Sequence, residues 1–204
     1  EEKKGLNLKD SAVRNRLAAS GKQNLLTMRP AALAVPEFAR LIEVGNFEDH
    51  LARLAEMDWI IEVVVENLKI KQELFQKVAA VCRPGTIVSS NTSGIPIKDI
   101  CAAMDLKFKQ YFLGTHFFNP PRYMKLLEII PIAETLPEVV DFIAHFGERV
   151  LGKGIVYAKD TPNFIANRLG ILGMLNLMKI MAEEGYTIEE VDAITGPAMG
   201  RPSS

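Results

Sequence analysis

The stretch Asp58-Trp59-Ile60-Ile61-Glu62-Val63-Val64-Val65, with a helical run at 68–81 and then Thr86-Ile87-Val88-Ser89-Ser90, decides the fold class of this chain. Residues 58–65 are rich in β-branched side chains with few polar interruptions, the composition of a strand buried on both faces. Residues 68–81 put Leu68, Leu74, Phe75 and Val78 toward one face and lysines and glutamines opposite, which predicts an amphipathic helix. Arg83-Pro84-Gly85 ends it, and residues 86–90 read as the next strand. Strand, helix, strand in that order is a parallel unit with a right-handed crossover, the building block of a doubly wound α/β sheet.

Downstream, a helical stretch at 98–104 precedes two apolar runs, 111–115 and 126–130, separated by a turn bearing Asn and Pro. That connection is too short for a parallel crossover, so the two runs are expected to pair antiparallel. A helix at 136–148 and a strand at 154–158 follow. Upstream, 9–27 is helical in pattern but broken by Gly21, the 29–36 region is proline punctuation, and 47–56 reads as a short amphipathic helix. A second region opens at Asp160-Thr161-Pro162, where Thr161 suits an N-cap and Pro162 the first helical position of a long helix to about Glu184. Its apolar part, 164–181, is interrupted by Asn167, Arg168, Asn176 and Lys179, which argues against a membrane span and for burial between domains or subunits. Gly185 ends it, and Thr187-Ile188-Glu189-Glu190 supplies a capping box for a last short helix. The expected division is 1–158 and 159–204.

A length of 204 residues fits one domain with part of a second. With 24 Lys and Arg against 25 Asp and Glu, the formal net charge of −1 argues against a nucleic-acid or anionic-membrane surface and for small-molecule chemistry. Cys82 and Cys101 fit no metal-ligand spacing, and two thiols without a secretory segment point to a reducing, cytoplasmic setting. His50 and His145 have no second ligand at useful spacing, so no metal is expected. The absence of a starting methionine and the loop-like end at 196–204 suggest a segment of a longer chain.

The residues that carry chemistry centre on Gly114-Thr115-His116-Phe117-Phe118-Asn119-Pro120-Pro121, followed by Glu128. An imidazole at one strand end and a carboxylate on the adjoining strand can face each other, so that Glu128 bonds one ring nitrogen and the other handles a substrate proton. Taken alone, such a pair also fits a satisfied strand-end histidine and a solvated glutamate. The run 147–154 imitates a phosphate-binding loop, but Gly154 replaces the required Ser or Thr and helix precedes strand. Ser90-Asn91-Thr92-Ser93-Gly94 follows a parallel strand at the edge where such sheets bind ligands, and is also a plausible polar turn capping a helix near Ile97. Asn167 lies in a mostly apolar helix and needs partners if buried. Glu66 and Lys71 read on their own as an exposed ion pair of little energy.

In this order, the motifs at 59–71, 89–95, 114–130 and 159–168, with the closing Thr195-Gly196-Pro197-Ala198-Met199-Gly200-Arg201-Pro202, resemble the 3-hydroxyacyl-CoA dehydrogenase family, particularly its bacterial branch. The resemblance covers most of the chain and is weakest before Ala31. It implies a Rossmann-like sheet, incomplete at its N-terminus, joined to the start of an all-helical domain that in the family usually dimerises, with the active site in the cleft between them. The implied activity is NAD-dependent oxidation of a 3-hydroxyacyl-CoA to a 3-ketoacyl-CoA, as in fatty acid β-oxidation.

By that resemblance His116 matches the general base and Glu128 the carboxylate that orients it. Ser93 matches the hydroxyl between the reacting oxygen and the cofactor, and Asn167 the substrate-binding amide. Glu66, Lys71 and Asn119 match cofactor-side positions. No GxGxxG occurs in the sequence, so the family's Gly-rich dinucleotide loop and first two strands are absent, and the helical domain is cut short after Pro202. Two rival expectations are a non-catalytic acyl-CoA-binding or structural relative and a dehydrogenase for another 3-hydroxy acid.

Overall fold

Five strands form one sheet in the order β1-β2-β3-β4-β5: β1 (Trp59–Glu62), β2 (Ile87–Ser90), β3 (Phe112–Phe117), β4 (Leu126–Pro131) and β5 (Gly154–Tyr157). The computed structural model describes residue 7 and residues 9–200. The charged start of the chain and Arg201-Pro202 of the closing motif lie outside the described residues. By packing the chain divides into two compact units, Glu1–Pro162 and Asn163–Ser204.

In the first unit β1, β2 and β3 run parallel, β3 and β4 antiparallel, and β4 and β5 parallel. The helices in chain order are α1 (Ser11–Arg14), α2 (Arg16–Asn24), α3 (Phe47–His50), α4 (Leu68–Ala79), α5 (Ile97–Ile100), α6 (Leu106–Gln110) and α7 (Pro137–Arg149). Strand alternation sorts the core into two layers. Leu113, Leu127 and Ile129 face α7 and pack with Ile87, Val139, Ile143 and Ala144. On the other face Phe112 meets Phe75 of α4 edge-on at 4.9 Å and Phe108 of α6 at 5.5 Å. Helices on both faces make the sheet doubly wound and Rossmann-like.

Gly114 is a packing requirement. A Cβ there would lie 2.7 Å from Ile97 Cδ1 and 3.0 Å from Ile130 Cβ, so its absence lets α5 settle on β3. The α5 amides are held from a distance: Asp160 accepts from Ile97 N at 2.6 Å and Lys98 N at 2.9 Å. The cap of this helix is therefore Asp160, not the 90–94 turn.

Several elements differ from their sequence patterns for local reasons. β1 stops at Glu62, because the Glu62 carboxylate accepts from Val64 N and Asn67 N bonds Val65 O, turning the chain out of the sheet. Val63 and Val65 are consequently exposed. In α4 the buried stripe is Lys71, Phe75 and Val78, with Lys71 inside and Leu68 partly exposed. The helical pattern at 9–27 breaks at Asn15, and Gly21 lies within α2. Residues 47–56 divide into α3 and a 3-10 segment Leu51–Glu56, and the helix expected at 98–104 is confined to α5.

The second unit contains α8 (Ala166–Glu184), α9 (Ile188–Thr195) and a 3-10 turn Pro197–Met199. Asn163 and Phe164 have φ of 64° and 47°, so the long helix starts at Ala166 and Thr161 does not cap it. Gly185, at φ 75°, closes α8, and α9 carries the Thr187–Glu190 capping box. Within this unit α8 has no buried residue. No helix among the described residues is long and apolar enough to cross a membrane.

Candidate active site

The β3–β4 register sets His116 directly opposite Glu128. Both side chains fall on the face away from α7, since each alternates with residues of the α7 core. His116 Nδ1 lies 2.7 Å from Glu128 Oε2, and the side chains are only 4% and 1% exposed. With the carboxylate ionised Nδ1 donates, which places the lone pair of a neutral imidazole on Nε2. The Phe118 ring sits 4.4 Å from the imidazole and adds an apolar wall.

The carboxyl edge of the parallel strands lies alongside. Asn91 Oδ1 accepts from Phe117 N at 2.8 Å, tying the loop after β2 to the end of β3. Glu66, exposed just before α4, gathers that loop: its Oε1 accepts from Ser93 N at 2.9 Å, Gly94 N at 3.0 Å and the Thr92 hydroxyl. Burial pushes the Glu66 carboxyl up, but the Thr92 hydroxyl, the two amides and the Lys71 charge outweigh it and leave it below the usual glutamate value.

Lys71 corrects the sequence reading most. It is not in an exposed pair with Glu66; its ammonium is buried against Glu62, 2.8 Å from Oε1 and 3.0 Å from Oε2, and 3.4 Å from Glu66 Oε2. Ser90 Oγ donates to the same Glu62 carboxylate. Glu62 is a bonding partner of Lys71 and Ser90 that the sequence analysis did not single out. Glu62 did carry a signal, as an acid inside an apolar strand pattern.

Of the remaining candidates, Ser93 is exposed at the tip of the loop, and Asn119 is exposed in the turn after β3, before a cis bond to Pro120. Asn167 is the second residue of α8 and belongs to the other unit. There it lines a shallow groove of about 280 Å³ with Asn163, Ala166, Gly170, Ile171 and Met174. A larger cavity, about 670 Å³, lies at the amino edge of the parallel strands between α4 and α6 and contains none of these residues. Volume therefore does not select the site; the converging polar groups do. Among the described residues no cluster of three or more His, Cys, Asp or Glu side chains converges as a metal site requires.

A family profile described as "3-hydroxyacyl-CoA dehydrogenase, NAD binding domain" matches residues 4–161. The chain belongs to the 3-hydroxyacyl-CoA dehydrogenase family. It is 53% identical over 204 residues to a probable 3-hydroxyacyl-CoA dehydrogenase of Bacillus subtilis, covering all of this chain and 26% of that protein. It is 47% identical over 197 residues to a probable 3-hydroxyacyl-CoA dehydrogenase of Deinococcus radiodurans, covering 97% of this chain and 57% of that one. The chain thus spans only part of the curated relatives it matches. Among solved structures, 3-hydroxybutyryl-CoA dehydrogenase from Escherichia coli superposes with a TM-score of 0.71 at 29% identity, over 86% of this chain and 37% of that one.

NAD is the cofactor of this family's domain. The Glu66 carboxylate, as an acceptor, and the Ser93 hydroxyl suit the ribose hydroxyls and the nicotinamide half of such a molecule. They do not suit its pyrophosphate, which the Glu66 charge would repel and for which a helix N-terminus with a Gly-rich turn is the usual cradle.

Proposed function

We propose that the full-length protein is an NAD-dependent enzyme that oxidises a 3-hydroxyacyl-CoA to the 3-ketoacyl-CoA in fatty acid β-oxidation. The observation that carries this reading is the buried His116–Glu128 pair at 2.7 Å, beside a ligand-binding sheet edge. His116 Nε2 takes the proton of the substrate hydroxyl, and Glu128 keeps the ring oriented through Nδ1–H and stabilises the imidazolium that forms. A bound NAD would supply the acceptor for the hydride that leaves the hydroxyl-bearing carbon. Ser93 contacts the reacting oxygen and the cofactor, Asn167 binds substrate, and Glu66, Lys71 and Asn119 serve the cofactor side.

In this reading residues 1–158 are part of the NAD-binding domain and 159–204 the start of a helical domain that pairs two subunits. The exposed Leu172, Leu175 and Met178 of α8 support a homodimer of the full-length protein. Cys82 and Cys101 are both free, which supports a reducing, cytoplasmic setting. The test is NADH oxidation by the full-length protein with acetoacetyl-CoA and with free acetoacetate. Turnover of the thioester alone supports the reading. Turnover of the free acid would favour a dehydrogenase of another 3-hydroxy acid, and thioester binding without oxidation would favour a non-catalytic relative.

A further inference from the structure

We infer that Glu62 is a positioning residue for the cofactor side of the site, acting through Lys71 and Glu66 on the loop that carries Ser93; this rests on the proposed function above. The Glu62 and Lys71 side chains are 2% and 1% exposed. A buried ion pair is weak evidence for stability, because an apolar pair of similar volume often serves the fold as well or better. Its bonds run in one direction. Glu62 is anchored in the strand edge by Val64 N and Ser90 Oγ and holds Lys71 through both of its oxygens. Lys71, so held, stands 3.4 Å from Glu66 Oε2, while Glu66 Oε1 gathers Thr92, Ser93 and Gly94. One buried carboxylate thus fixes a cation, the cation fixes a half-exposed carboxylate, and that carboxylate shapes the loop. Without Glu62 the Lys71 charge has, among the described residues, only Glu66 as an acidic partner, and Glu66 is drawn away from the loop amides.

The test uses the full-length protein with Glu62→Gln and, separately, Ser90→Ala, which unpairs no charge but removes one bond to Glu62 and the 3.3 Å bond that Ser90 Oγ accepts from Thr92 N. Two quantities are read: amide hydrogen exchange at Ser93 and Gly94 without cofactor, and the NADH dissociation constant by fluorescence. Glu62→Gln is expected to speed exchange at these two amides selectively and to weaken NADH binding about tenfold, the loss of one charge-assisted hydrogen bond. Ser90→Ala is expected to shift both in the same direction by less. Wild-type protection at Ser93 and Gly94 in both variants, or exchange raised evenly across the domain, would overturn the inference by leaving Glu62 a purely structural residue. Selective loosening in a protein that never oxidises NADH with acetoacetyl-CoA would overturn the proposed function and leave the positioning role standing.

Discussion

Glu128 and His116 are cross-strand partners in an antiparallel pair, with Glu128 Oε2 2.7 Å from His116 Nδ1. Because the contact is made by neighbouring strands rather than mobile loops, the ring orientation is built into the sheet. Glu128→Gln keeps the shape but removes the charge that stabilises an imidazolium. The expected result is a kcat about 10- to 100-fold lower, the range of one hydrogen bond to a charged group, with the fold retained. A pH–rate profile of wild type and variant checks it; superimposable profiles would remove Glu128 from the mechanism.

Glu66 gives a stability signature in acid. Its folded-state carboxyl lies below the ordinary value, so the unfolded chain takes up the proton first. The contribution is complete above the usual glutamate range of about 4.3 and is lost as pH falls through the folded value. Urea midpoints of wild type and Glu66→Gln are expected to differ at neutral pH and to converge as the pH falls below the usual glutamate range and through the lower folded-state value. A gap that is constant across pH would contradict the bonding described around Thr92, Ser93 and Gly94.

Gly114 admits no side chain while Ile97 keeps its full length. Gly114→Ala is expected to cost about 1–3 kcal/mol, the usual penalty for overpacking. The cost should be smaller in an Ile97→Val background, which removes the Cδ1 atom that a new Cβ meets first. Chemical denaturation of the four-member cycle measures the coupling; strict additivity would mean that α5 does not rest on β3 as described.

Cys101 is fully buried, and burial raises its thiol to about 11. Thiolate is the reactive form, so alkylation of Cys101 at pH 8 should be negligible in the native protein and rapid once it is unfolded. Mass-spectrometric mapping after a short iodoacetamide pulse checks this, and prompt native labelling at Cys101 would contradict it.

The parts of the fold that were legible in the sequence are those set by short-range pattern. The runs at 111–115 and 126–130 are short and apolar and are joined by a connection too short for a crossover, and they pair antiparallel. Thr187 and Glu190 announced their capping box three residues apart. Long-range partners were not legible. Asp160 caps a helix 63 residues earlier in the chain, and no local pattern encodes that bond. Lys71 appeared exposed because lysine normally is; only the fold brings Glu62 beneath it. Val63 and Val65 carry strand composition whether or not they join the sheet, and the Glu62 turn removes them from it.

The central claim is that His116 moves the substrate proton. The measurement that tests it most directly is acetoacetyl-CoA-dependent NADH oxidation by the full-length protein and its His116→Gln variant, with matched thermal melts to show that both are folded. The account predicts a kcat about 100- to 10,000-fold lower in the variant, the usual contribution of a positioned acid–base group. Turnover at the wild-type rate in a folded His116→Gln protein would contradict it.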